Sequence, residues 1–178
     1  MPASDVFVDE SKAREYLLVA AVIAPGSSGH QRNAMRALLL PGQPRLHMKK
    51  ERDSRRQRIL GTIAALGTQI TIYRAPRTLG SEVQRRAFCL DRLVRDIGAA
   101  GGQLCLERDE SLVGSDRRRL IEATRAVGSM ATLRYWHESA ASEPLLSIPD
   151  AIGWAWARGG EWRRLVKAIG VEVIDVSR

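Results

Sequence analysis

Two continuous apolar runs open the chain, Val6 to Val8 and Tyr16 to Ile23, joined by a polar link that includes Lys12 to Glu15. Unbroken rather than alternating hydrophobicity predicts strands buried on both faces. The link is short enough for a hairpin, so the two strands should pair antiparallel. From Gln31 to Leu40 apolar positions recur at helical spacing until Pro41 and Gly42 stop them. Leu46 to Met48 reads as a short third strand, Ser54 to Leu66 as a helix with an Arg-rich first turn, and Gln69 to Ala75 as a strand ended by Pro76. In Glu82 to Ile97 one face collects Val83, Ala87, Leu90, Leu93, Val94 and Ile97, the mark of a long amphipathic helix that the glycines of GAAGG end. A strand at Leu104 to Leu106, a basic helix at Asp116 to Val127 and a strand at Leu133 to His137 follow. The chain closes with helices at Ile148 to Trp156 and Trp162 to Ile169 and a strand at Val171 to Val176.

An opening hairpin followed by alternating helices and strands predicts one α/β domain over residues 1–178, a mixed central sheet with helices on both faces. That is the layout expected of a ribonuclease H-like fold. A length of 178 residues with 44% apolar content suffices for one well-cored unit, and no repeat, low-complexity stretch or linker divides it.

The polar positions that interrupt this pattern carry the candidate chemistry. The first strand runs out in VFVDES, placing Asp9 and Glu10 where an acid is costly to bury unless a cation or hydrogen-bond donors meet it. An exposed turn would also accept those residues. Further strand-end or helix-start acids are Glu107, Asp109, Glu110 and Asp150. Asp9 and Glu107 would converge on one sheet edge if their strands are neighbours, and Asp150 could complete the cluster. Such hard oxygen donors favour Mg²⁺ or Mn²⁺, and two such ions can activate water and stabilise the leaving oxygen in phosphodiester cleavage. For Asp150 a helix-capping role competes with this reading, and for Asp109 and Glu110 a solvated loop does.

The segment RLHMKKERDSRRQR adds His47, a candidate ligand or proton shuttle, and the cations Lys49, Lys50, Arg52, Arg55 and Arg56, which could hold nucleic-acid phosphates. A solvated, charge-laced helix face and a structural histidine are the competing readings. The whole-chain balance of 28 Lys and Arg against 20 Asp and Glu, net +8, favours an anionic partner such as nucleic acid. Cys89 and Cys105 sit among apolar neighbours and read as reduced core residues of a cytoplasmic protein. Neither a signal-peptide pattern nor an apolar run of membrane-spanning length is present, so no membrane partner is expected. No CxxC pair, HExxH, Gly-rich phosphate loop or GxSxG elbow offers another chemistry.

VFVDES followed by YLLVAAVI, then RLHMKKE, QLCLERD and EPLLSIPDAIGWAWARG, resembles the family known as domain of unknown function 3800, in its compact actinobacterial-type members. The resemblance runs from about Val6 to about Gly159. It implies a ribonuclease H-like fold and a divalent-metal-dependent nuclease or a relative of one. In that likeness Asp9, with Glu10 beside it, stands for the first-strand acid, Glu107 for the late-strand acid and Asp150 for the C-terminal helix acid, with Leu46 and His47 matching the Leu-His segment. Glu107 stands where the family often has Asp, which lengthens the ligand arm and leaves Asp109 as a substitute. Two functions are therefore expected: a nuclease in which Asp9, Glu107 and Asp150 hold Mg²⁺ or Mn²⁺, or a non-catalytic nucleic-acid-binding or protein-interaction module with a degenerate site. A homo-oligomer is compatible with either.

Overall fold

A computed structural model describes residues 4–178. Its six strands are β1 (Asp5–Ser11), β2 (Tyr16–Ile23), β3 (Gln69–Ala75), β4 (Gly102–Glu107), β5 (Leu133–Glu138) and β6 (Glu172–Asp175). They form one sheet in the order β5-β4-β1-β2-β3-β6. β1, β2 and β3 pair antiparallel in succession, the β1–β2 pairing as the short link after Ser11 requires and the β2–β3 pairing across the segment that carries the first two helices. β4 adds parallel to the free edge of β1, β5 parallel to β4, and β6 parallel to β3, so the sheet is mixed. The parallel additions are reached through helices, because a parallel neighbour needs a crossover connection.

The helices are α1 (Ser28–Arg36), α2 (Asp53–Leu66), α3 (Glu82–Ile97), α4 (Val113–Val127), α5 (Ser147–Arg158) and α6 (Gly160–Ile169). Strand alternation sends Phe7, Val19, Ile72 and Cys105 to one face, where α1, α2, α5 and α6 cover them. Val8, Leu18, Tyr73 and Leu106 go to the other, under α3 and α4. Cys89 and Cys105 are free, buried, and belong to opposite cores, so the sheet itself separates them. Burial pushes both thiols up to about 12. Among the described residues no helix is long and apolar enough to cross a membrane.

Two local expectations need correction. Leu46–Met48 is not a strand: Leu46 is buried without pairing, and Met48–Lys50 forms a 3₁₀ turn that leads into α2. The first helix occupies Ser28–Arg36, earlier than Gln31 to Leu40, because Leu38 and Leu39 turn off α1 through tight backbone bonds to Met35 and Arg36.

Candidate functional site

β1 and β4 lie side by side and in parallel, with Val8 opposite Leu106. One residue further on, Asp9 and Glu107 are brought level, on the face shared by Phe7 and Cys105. α5 packs on that face across β1 and β2. Gly153 permits the close approach, since a Cβ there would already stand 3.4 Å from Ser11 Cβ and Val19 Cγ2. One turn before it, Asp150 is carried to the same strand ends.

Asp150 does not cap its own helix. Its Oδ2 accepts from the Met48 N–H at 3.2 Å, and the helix N-cap, Leu146, has no side-chain cap. The 3₁₀ turn at Met48–Lys50 is thereby tied to α5, and His47 Nδ1 is held 3.9 Å from the same Asp150 oxygen. That Nδ1 is buried and has no hydrogen-bond partner among the described residues. Glu107 accepts from Arg45 Nη1 at 2.7 Å through one oxygen, while its other oxygen, Oε2, is buried without a partner among the described residues.

The electrostatics agree with the geometry. Burial, then the charges of Asp150 and Glu107, hold the Asp9 carboxyl well above the usual carboxylate range. Burial likewise raises Asp150, against the Met48 N–H, His47 and Arg45, which lower it. Glu107 is raised by burial and by Asp150 in spite of Arg45. Three carboxylates from β1, β4 and α5 thus occupy one desolvated neighbourhood. Among the described residues, however, no three His, Cys, Asp or Glu are drawn together in a ready-made metal-binding set. A hard divalent cation suits these donors: they are all oxygens, all destabilised as anions, and one is an orphaned buried atom.

The remaining sequence candidates fall elsewhere. Glu10 follows Asp9 by one residue, so the pleat turns it to the opposite face. There it accepts from Arg86 and the Tyr16 hydroxyl and pairs with Lys12 at 2.7 Å. Arg86 also grips the buried Asp116 through both oxygens at 2.6 and 2.8 Å, and His137 Nε2 meets the same carboxylate at 2.8 Å. Glu10 is therefore the end of a neutralised ion network, not a partner in the acid cluster. Asp109 borders a cavity of about 360 Å³ with Asp9 and Glu107, but its Oδ1 is taken by the Ser111 N–H and hydroxyl, which hold its pKa low. It closes a turn ahead of α4, a poor posture for a substitute ligand.

The basic segment divides in the same way. Arg55 turns inward to Glu51 at 2.6 Å and the Leu38 carbonyl at 2.8 Å, so it belongs to the fold and is withdrawn from a phosphate-binding surface. Arg56 clasps the 3₁₀ turn through the Met48 carbonyl at 2.8 Å and lies 4.3 Å over the Trp154 ring. Lys49 lines a groove beside Asp150, while Lys50 and Arg52 are exposed. Gly153 and the Arg86 network were not singled out from the sequence, and Arg45 reads there only as one cation of the basic run. Arg45 stands two residues before His47, and Gly153 stands at helical spacing from Asp150, the one-dimensional signals that could have found them.

The fold and site define an α/β protein with a mixed six-stranded sheet and an acid cluster at the ends of its central strands. No family model matches the chain, and neither a curated protein nor a solved structure does.

Proposed function

We propose that the protein is a divalent-metal-dependent nuclease that hydrolyses phosphodiester bonds of DNA or RNA. The observation that carries this is the gathering of Asp9, Glu107 and Asp150 from three separate elements into one desolvated neighbourhood that raises each pKa, with Glu107 Oε2 buried and unpartnered among the described residues. The antiparallel β1–β2–β3 succession with parallel strands added beside β1 supports a ribonuclease H-like assignment and, with it, membership of the domain of unknown function 3800 family. Two buried free thiols fit a reducing, cytoplasmic setting.

Mg²⁺ or Mn²⁺ bound at these carboxylates would supply a Lewis acid and an acidified water. Asp9 from β1 and Asp150 from α5 would provide oxygen donors, and Glu107 would add Oε2 while Arg45 restrains its other oxygen. In this reading His47, whose Nδ1 lies 3.9 Å from Asp150 Oδ2, would be the proton shuttle.

A second reading, a non-catalytic module with a degenerate site, draws on the absence of a ready-made metal-binding set among the described residues and on the Arg45–Glu107 ion pair. One experiment separates the two. At a concentration 100-fold above Kd, Mn²⁺ stabilises the native state by about 2.7 kcal/mol, a Tm rise of roughly 5–11 °C for a chain of this size. Asp9→Asn or Asp150→Asn should abolish that rise. Each should also lower cleavage of single-stranded or duplex DNA, RNA or hybrid substrates by at least ~10²-fold, about 2.7 kcal/mol of transition-state stabilisation. A wild type without metal response and without cleavage leaves the binding module; equal cleavage by variants and wild type removes these acids from the chemistry.

A further inference from the structure

Two hollows border the acid cluster, and they differ in charge. The cavity on the β4–α4 side presents Asp9, Glu10, Glu107 and Asp109 against Arg86 and Arg108. The other is an open groove of about 710 Å³ between the β1–β2 turn, the 3₁₀ turn at Met48–Lys50 and the C-terminal half of α5. Its walls carry Lys12, Arg14, Lys49, Arg56 and Arg158. Only Glu10 and Asp150 oppose them there.

Not all five cations are free. Lys12 pairs with Glu10 at 2.7 Å and Glu82 at 3.3 Å, and Arg56 is spent on Asp53, the 3₁₀ turn and the Trp154 ring. Arg14, Lys49 and Arg158 have no ion-pair partner among the described residues, though they come from three different elements. Three unpaired cations converging on one groove repel one another, and an anionic strand relieves that repulsion. Trp154 forms an apolar wall with Trp162 set edge-on behind it at 5.3 Å.

We infer that this groove is a nucleic-acid track: the phosphodiester backbone of one strand runs from the acid cluster over Trp154, held by Arg14, Lys49 and Arg158. The inference rests on the nuclease reading for what happens at the acids, and on charge and shape alone for the track. It places the strand on the groove side of the cluster, since the opposite cavity carries more acid than base. It also replaces the outer face of α2, where Arg55 is turned inward, as the basic surface that matters.

The test measures binding, in EDTA so that nothing is cleaved, of short fluorescent single-stranded DNA and RNA of mixed sequence. The triple variant Arg14→Ser, Lys49→Ala, Arg158→Ser is compared with Arg117→Ser, Arg118→Ser, Arg125→Ser, which removes equal charge from exposed positions of α4 on the far face of the sheet. For single strands each phosphate contact contributes about 0.7 to the slope of log K against log salt, so losing three should flatten the slope by about 2 and weaken binding roughly 10²-fold near 0.1 M salt. The α4 variant should change both far less. The idea is overturned if the groove variant keeps the wild-type slope, or if both triple variants lose the same amount, which is the signature of net charge alone. Its failure is distinct from failure of the nuclease reading: a groove variant that no longer binds strands should still show the Mn²⁺-dependent rise in Tm, and a protein with no metal response can still pass the groove test.

Discussion

Loss of Arg86 should cost the fold several kcal/mol. Its guanidinium is buried with Asp116, Glu10 and the Tyr16 hydroxyl, and Asp116 itself is 1% exposed. Arg86→Met keeps the aliphatic stem but leaves two carboxylates short of their counter-charge. Removing one partner of a buried ion pair costs about 3–5 kcal/mol because the other charge is stranded. Here His137 remains on Asp116 at 2.8 Å and Lys12 on Glu10 at 2.7 Å. We therefore expect the lower end, ~3 kcal/mol, or a fall in Tm of roughly 6–12 °C for a chain of this length. Urea titrations at neutral pH measure it. Burial pushes Asp116 up, but the hydrogen bonds from Arg86 and His137 win and hold it below the usual range. A carboxyl depressed in the folded state contributes stability that is present above its unfolded pKa near 4 and lost as pH falls through the folded value. The gap between wild type and variant should accordingly narrow in acid. Adding Asp116→Asn to Arg86→Met should restore at least ~1 kcal/mol, since the stranded anion is removed with its partner. A loss below ~1 kcal/mol, or two substitutions that simply add, would refute the stranded-charge argument.

Asp9 should show the opposite pH behaviour. Burial, Asp150 and Glu107 raise its folded pKa, so its contribution is full below about pH 4 and is lost as pH rises through the raised value; in EDTA, Asp9→Asn should lose less Tm than wild type on going from pH ~4 to ~7, and parallel curves would count against a crowded anion. At Gly153, alanine should be tolerated, because its Cβ meets Ser11 and Val19 at 3.4 Å and the helix gains up to ~1 kcal/mol of propensity. Gly153→Leu should push α5 off the sheet, cost about 1–3 kcal/mol and erase the Mn²⁺ response; a leucine variant that keeps that response would show that Asp150 does not depend on this contact.

The sheet was largely legible because its strands are continuous apolar runs bounded by turn residues, and because a short polar link after Ser11 leaves a hairpin as the simplest connection. The acids at Asp9, Glu107 and Asp150 were legible as strand-end and helix-start interruptions, but their convergence depends on β4 choosing the free edge of β1, which no local pattern dictates. Leu46 misled because an isolated buried leucine beside polar residues looks the same in an edge strand and in an irregular segment packed on the core. The basic run misled for a different reason. Arg55 and Arg56 are adjacent in sequence, yet one bonds to Glu51 and a carbonyl inside and the other to Trp154 and the 3₁₀ turn, so neither presents the free cation that composition implied. Arg14 and Arg158 carried no signal, since each is a single arginine among many until folding sets them across one groove.

The pairing of Asp9 and Glu10 explains why both acids can stand at the end of one strand. Side-chain alternation gives each its own face, so they answer to different surroundings. On the α3 and α4 face Glu10 is neutralised by Arg86 and Lys12, and that network anchors the strand end from behind. On the α5 face Asp9 has no cation of its own among the described residues; its Oδ1 accepts from the Glu10 N–H at 2.7 Å. A strand end fixed on one side by satisfied charge can hold a dissatisfied carboxylate on the other, so the Arg86 network should help three acids to remain crowded at the site. It follows that Arg86→Met should weaken the Mn²⁺ response along with the fold, whereas Asp9→Asn should remove that response while leaving the fold intact.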